Sequence, residues 1–176
     1  IDRPIQFYPI VRARITAVNG QAIDHRRESG KRRDNLSRVF NLTYRDTLLD
    51  DERLIDGETL FNNDWDEPQV SIMDTVAEMR EMKIGDRIRF KIQGVPLTAR
   101  ISSIRTRDSR SLSPFFYFVF PGSVLAQAPH TLFAAVTVAP GQLGSLQTSI
   151  VSQFPNISVI DMSQTIGILA RLMARL

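Results

Sequence analysis

The side chains that could carry out chemistry are few in this sequence and widely separated. There is no cysteine, which excludes disulfides and cysteine-ligated metal sites, and His25 and His130 have no second histidine at a ligand spacing. Gly30-Lys31 is followed by Arg32 rather than by Ser or Thr, so the phosphate-loop pattern fails. We therefore predict no catalytic residue, no metal, no cofactor and no enzymatic activity. A lipid hydrolase, the enzymatic alternative, would need a nucleophile and a base within hydrogen-bond reach.

An acidic stretch, NNDWDE at 62–67, has the composition of a calcium-binding loop but not its order. Counting from Asn62 places Glu67 where the loop requires glycine, and Met73 where it requires a bidentate glutamate. We interpret this stretch as a solvated loop that is anchored by Trp65.

The main charge feature is a basic segment within 24–38, which we predict to be a loop. The segment is either simply solvated or contacts an acidic partner or anionic lipid headgroups through long-range attraction. Nucleic acid is not expected, because 22 Lys and Arg against 19 Asp and Glu leave a net charge of only +3. The candidate contact residues are Arg26, Arg27, Lys31, Arg32 and Arg33.

The main apolar feature is FFYFVF at 115–120. A buried central strand is one interpretation of this run. The other is an edge or cleft in which Phe115, Phe116 and Phe118 contact an apolar ligand or a partner strand.

Alternation of apolar and polar residues predicts most of the strands. Ile88, Phe90 and Ile92 alternate with cations, and a turn at Gln93-Gly94 leads into a second alternating run. Such a twisted hairpin is typical of a small, barrel-like sheet. The strands predicted by alternation are 10–18, 38–44, 87–92 and 97–101.

Between these strands the pattern is less regular. We expect 45–70 to be irregular and a helix to begin at Ser71 and end near Gly85, whose position suits a left-handed residue after a helix. The alternation slips at Ser102-Ser103, which predicts a β-bulge. Asn19-Gly20 predicts a hairpin turn.

The last part of the chain predicts a βαβ unit with parallel strands and a right-handed crossover. Its strands are 131–138 and 157–161, and the helix between them carries an apolar stripe. The residues of this stripe are Leu143, Leu146, Ile150, Val151 and Phe154.

A final helix is predicted from Ser163. Its apolar face either packs in the core or, together with two arginines, suits approach to a membrane surface. No apolar run reaches the roughly 20 residues that span a bilayer, and we interpret the chain as a piece of a longer protein. The residues of this membrane-proximal lever are Ile166, Leu169, Met173, Arg171 and Arg175.

These elements predict an α+β fold with two parts. An outer unit, 1–25 plus 125–176, contains the βαβ and is incomplete, with further strands expected upstream. An inserted small α/β subdomain, 26–124, contains the barrel-like sheet.

Four runs together resemble the extracytoplasmic domain of FtsX-like, MacB-type ABC transporter permeases, and within that superfamily the YbbP-like permeases. They cover most of the chain, and Gly85-Asp86 matches the turn from helix to hairpin in this family. The runs are NLTYRDTLL (41–49), 70–105, FFYFVFPGSVL (115–125) and FPNISVIDM (154–162).

The resemblance implies a porter-like βαβ subdomain that carries the inserted subdomain. It also implies a protein anchored in the inner (cytoplasmic) membrane, with this domain on the periplasmic side. A cytoplasmic ABC ATPase would drive the domain through transmembrane helices, a mode called mechanotransmission. The domain would pass this motion to a periplasmic protein or a lipid-like cargo and would itself hold no catalytic residues. The alternative is a passive binding module for an apolar ligand or protein partner.

Overall fold

A computed structural model of the chain describes residues 5–30, 35–108, 114–139 and 141–162. Within these ranges no helix is both long and apolar enough to cross a bilayer. The elements in chain order are β1 (Phe7–Val18), β2 (Gln21–Ala22), α1 (His25–Ser29), β3 (Val39–Tyr44), β4 (Glu52–Asp56), β5 (Gln69–Met73), α2 (Asp74–Met79), β6 (Arg87–Ile92), β7 (Val95–Arg107), β8 (Phe118–Phe120), α3 (Gly122–Leu125), β9 (Thr131–Ala134) and α4 (Leu143–Gln153).

Six strands close into a ring. β1 pairs antiparallel with β3, β3 pairs parallel with β8, and β8 pairs antiparallel with β5. β5 then pairs parallel with β7, β7 antiparallel with β6, and β6 antiparallel with β1. β2 and β9 extend the sheet from β1, and β4 extends it from β7. The ring confirms the predicted α+β fold with a barrel-like sheet.

The alternation in the sequence decides which side chains fill the barrel. In β1 and β6 the apolar residues at every second position are buried, while the cations between them are exposed. The turns that were predicted are present, with φ of +49° and +78° at Asn19 and Gly20 and of +47° and +96° at Gln93 and Gly94. Positive φ at both central residues suits the right-handed twist of the flanking strands.

Phenylalanines from three strands pack edge to face in the barrel interior. Phe118 lies 5.2 Å from both Phe40 and Phe90 between ring centroids, and Phe90 lies 5.3 Å from Phe120. All three residues of β8 are buried. The run 115–120 therefore ends in a buried strand of the ring.

Two predictions about the middle of the chain are wrong. Residues 69–73 form β5 rather than the start of a helix, since every residue of this strand is buried and the alternation signal is lost. The Ser71 hydroxyl, which suggested a helix cap, instead accepts a hydrogen bond from Ser103 at 2.8 Å. Residues 52–56 form the strand β4, although the whole of 45–70 was predicted to be irregular.

The predicted loop at 24–38 contains the short helix α1. Its first turn is capped by Asp24, whose carboxylate accepts hydrogen bonds from the backbone N–H groups of Arg26 and Arg27. This capping satisfies donors that an isolated helix end would leave unpaired.

The chain divides into two units, one of Ile5–Ala135 and one of Ile1–Pro4 with Val136–Leu176. The predicted division into 1–25 plus 125–176 and 26–124 stays a prediction, and β1 belongs to the same ring as strands from the predicted insert.

The predicted βαβ is only partly formed. Helix α4 is present, but β9 pairs antiparallel with β1, and 157–161 has no regular structure. A strand requires a neighbour for its backbone groups, and no described residue pairs with 157–161. The helical stripe is also less buried than predicted, because Val151 and Phe154 are exposed.

Candidate partner-binding surface

The start of β1 and the whole of β9 form an antiparallel ribbon with apolar residues on both faces. Phe7 lies opposite Ala134, and Pro9 lies opposite Leu132, so Phe7 and Leu132 share one face. Both side chains are 60% exposed, and Phe133 on the other face is exposed as well. We call Ile5, Phe7, Leu132 and Phe133 the apolar ribbon.

Large apolar side chains clustered on a surface usually mark a contact with another molecule or another part of the protein. The sequence carried a signal for this ribbon that alternation alone did not reveal. FYPI at 7–10 and TLFA at 131–134 hold no charged residue, so neither strand face is polar. Tyr8, in the same run, differs from these exposed residues because it is buried, and its ring lies 6.0 Å from that of Phe116.

A buried charge network lies beside the barrel and was also missed from the sequence. Arg105 is fully buried, its Nη1 lies 3.0 Å from the Oε1 of Glu52, and its Nη2 donates to the carbonyl of Phe116 at 2.8 Å. Arg45 pairs with the other oxygen of the same carboxylate. Burial lowers the pKa of Arg105 to about 10, and the charge of Glu52 opposes this shift.

The bulge predicted at Ser102-Ser103 is confirmed, and it brings Ile104 rather than Arg105 onto the barrel face that carries Ala99 and Ile101. Val70 lies opposite Ile101, but the next residue of β5, Ser71, lies opposite Ser103. One extra residue in a strand moves all the later side chains to the other face.

The acidic stretch 62–67 is tied to cations rather than arranged around a metal. Glu67 pairs with Arg87 at 3.0 Å and with Arg100 at 3.2 Å, and the hydrogen bond from Arg87 is the main reason that its pKa is lowered. The Arg100 guanidinium lies 3.8 Å from the centre of the Trp65 ring. Across the described ranges, no group of three or more His, Cys, Asp or Glu residues could hold a metal ion.

No family model matches the chain. It is 31% identical over 158 residues to a protein of Escherichia coli (strain K12) named "Uncharacterized ABC transporter permease YbbP". The chain is therefore related to an ABC transporter permease. The matched region is 90% of this chain and 18% of the relative, so the chain spans less than a fifth of the length of that protein.

In this permease-related chain the three phenylalanines predicted to contact an apolar ligand or a partner strand do not share a surface. Phe118 lies in the barrel interior, and Phe116 is buried against Tyr8. Phe115 is exposed, with its ring 4.4 Å from that of Tyr117 and the guanidinium of Arg107 5.5 Å from its centre. A contact of these residues with an apolar ligand stays a prediction, in which Phe115 is the accessible member.

Only part of the predicted contact with an acidic partner lies within the described residues. Arg26 and Arg27 lie on α1, whereas Lys31, Arg32 and Arg33 lie outside the described residues. A depression of about 360 Å³ beside α1 is lined by Ala22, Asp24, Arg27, Glu28 and Arg80. The depression is lined by as many carboxylates as guanidiniums, and one of each is paired, because the buried Glu28 lies 2.5 Å from Arg80.

The predicted lever begins after the described residues end. Ile166, Leu169, Arg171, Met173 and Arg175 all lie outside them. The role of this segment therefore stays a prediction.

Proposed function

We propose that this chain is the periplasmic domain of an inner-membrane ABC transporter permease. In this role it relays conformational change, driven by ATP hydrolysis, to an extracytoplasmic partner or a lipid-like cargo. The observation that carries the proposal is the 31% identity over 158 residues to an ABC transporter permease. The four runs that resemble FtsX-like, MacB-type permeases support the periplasmic side.

The barrel suits a part that transmits motion. Its sheet closes on itself, and its interior is filled by aromatic rings in edge contact. Close-packed interiors are stiff, so a force applied at one point moves the body as a whole. The ATPase partner would act on the cytoplasmic side through the membrane helices of the permease. The domain itself would bind no ATP and catalyse no reaction.

The apolar ribbon supplies a contact surface for this work. Its proposed occupant is another part of the same permease, because the chain spans only 18% of the length of its relative. Contact between two parts of one protein would cover Phe7 and Leu132, which are otherwise exposed to water.

A passive binding module for an apolar ligand or protein partner is the second candidate function. The exposure of the apolar ribbon favours it, because binding alone would also cover these side chains. The two candidates differ in whether the domain moves when ATP is hydrolysed.

The periplasmic location can be tested with a single cysteine at Val95. This residue is 67% exposed at the β6–β7 hairpin, and the chain has no cysteine of its own. In a full-length permease freed of other cysteines, Val95→Cys is expected to react with a membrane-impermeant maleimide in intact spheroplasts. Ala99→Cys, at a buried position of β7, is the matched control and should react only after denaturation. Labelling of Val95→Cys only after lysis would overturn the proposed location.

A further inference from the structure

The outer face of the barrel carries a group of cations on two neighbouring strands. Arg12 and Arg14 of β1 and Arg89 and Lys91 of β6 are exposed, whereas the residues that alternate with them are buried. β1 and β6 are hydrogen-bonded neighbours in the ring, so these four side chains lie on one continuous surface. We call them the basic face.

The charge of the basic face is not balanced from within the described structure. No described carboxylate forms an ion pair with any of its four residues. The strands β1, β3, β6 and β7, which make up this side of the barrel, contain no Asp or Glu at all. Arg87 and Arg100 nearby differ in this respect, because both pair with Glu67.

The pairing register places two of these cations directly opposite each other. Arg14 and Lys91 are Cα partners in the β1–β6 ladder. Like charges at directly opposite positions of an antiparallel pair destabilise the sheet, so this arrangement costs stability in the isolated fold. An anionic surface placed over the face would remove that cost.

The residues paired with the four cations in the neighbouring strands are two polar and two aliphatic residues, and none is aromatic. A depression of about 350 Å³ adjoins them and is lined in part by Asn19, Arg87, Arg89 and Thr98. The residues opposite the basic face in the neighbouring strands are Val39, Asn41, Pro96 and Thr98.

We propose that the basic face docks on the anionic phospholipid headgroups of the membrane. The presence of that membrane rests on the proposed function. A headgroup layer suits the face better than a protein partner does, because protein interfaces have an apolar, aromatic-rich centre from which charge is depleted. Here all four residues that define the surface are charged and exposed. Each cation close to an anionic bilayer strengthens binding severalfold.

The test compares two double variants of the 176-residue chain that have the same net charge. Arg14→Gln with Lys91→Gln neutralises the opposed pair, and Arg53→Gln with Lys83→Gln neutralises two exposed cations elsewhere. Binding is measured by flotation with phosphatidylcholine vesicles that contain about one third phosphatidylglycerol, and with phosphatidylcholine alone. The first variant is expected to bind the anionic vesicles about thirtyfold more weakly than the unchanged chain, and the second much less so.

Thermal unfolding supplies a second measurement. The melting temperature of the Arg14→Gln, Lys91→Gln variant is expected to be unchanged or higher, because the repulsion between the strands is relieved. A lower melting temperature together with weaker binding would assign these cations a structural role and overturn the proposal.

Other outcomes would also overturn it. These are equal losses in both double variants, equal binding to neutral vesicles, and binding of the chain to polyglutamate or nucleic acid but not to vesicles. The permease proposal can be judged separately, since labelling of Val95→Cys in spheroplasts does not depend on lipid binding by the isolated chain.

Discussion

Replacing Glu52 with alanine is expected to lower the free energy of unfolding by about 3–5 kcal/mol. The carboxylate of Glu52 is shared by two guanidiniums, those of Arg45 and the fully buried Arg105. A pKa of about 10 keeps Arg105 charged at neutral pH. Removing the Glu52 carboxylate would leave the buried guanidinium of Arg105 without its ion-pair partner, which costs far more than the loss of a surface ion pair. Denaturation by urea, followed by circular dichroism, measures the change.

Two further variants make this prediction specific. Glu58→Ala removes an exposed carboxylate from the same part of the chain and is expected to change stability by no more than about 0.5 kcal/mol. The double variant Arg105→Met, Glu52→Gln removes the buried charge and its partner together. This double variant should therefore be less destabilising than Glu52→Ala alone. A loss below about 1 kcal/mol for Glu52→Ala would show that Arg105 does not depend on this carboxylate.

The second large effect is expected for Phe118→Ala, which should cost about 3–5 kcal/mol of stability. The ring of Phe118 contacts those of Phe40 and Phe90 in the barrel interior, and deleting it leaves a cavity between strands that cannot fully collapse. Phe115→Ala, three residues earlier at an exposed position, is the matched control and should cost less than about 1 kcal/mol. The same denaturation experiment compares the two variants.

The comparison also bears on the apolar-ligand interpretation of 115–120. If Phe118→Ala were no more costly than Phe115→Ala, the ring of Phe118 would not be a packed part of the core. A site that opens to a ligand would then be favoured over a closed barrel interior.

The strands that could be predicted from the sequence are those with one face in the barrel and one in water. β1 and β6 show this alternation, and their turns carry Asn19-Gly20 and Gln93-Gly94. β5 could not be predicted by the same rule, because it is buried on both faces. The closure of the ring could not be predicted from the sequence either, because β3 pairs with the distant β8 and no local pattern encodes a parallel pairing of this kind.

The candidate surfaces were harder to predict than the strands. Alternation continued from Ile101 would place Arg105 in the barrel interior, but the extra residue at Ser102 reverses the face of every residue after it, so Arg105 lies in the charge network beside the barrel. The apolar ribbon was missed because an apolar strand is usually buried, and only its three-dimensional position shows that Phe7 and Leu132 are exposed.

The central claim is that the barrel moves as one rigid body when the ATPase partner of the permease hydrolyses ATP. Val39 and Val95 are exposed positions within the unit Ile5–Ala135, so spin labels can be placed there in a full-length permease with little disturbance. A third label in the membrane-embedded part gives the distance from the barrel to the membrane. Double electron–electron resonance then compares the nucleotide-free complex of permease and ATPase with the complex trapped by ATP and vanadate.

The account predicts that the distance between the labels at Val39 and Val95 stays constant while the distance from Val95 to the membrane label changes. A Gly-Ser insertion after Asp161, which would loosen the joint to the predicted lever, should abolish that change. An unchanged distance to the membrane in both nucleotide states would contradict the account, as would an equal change with the flexible insertion in place.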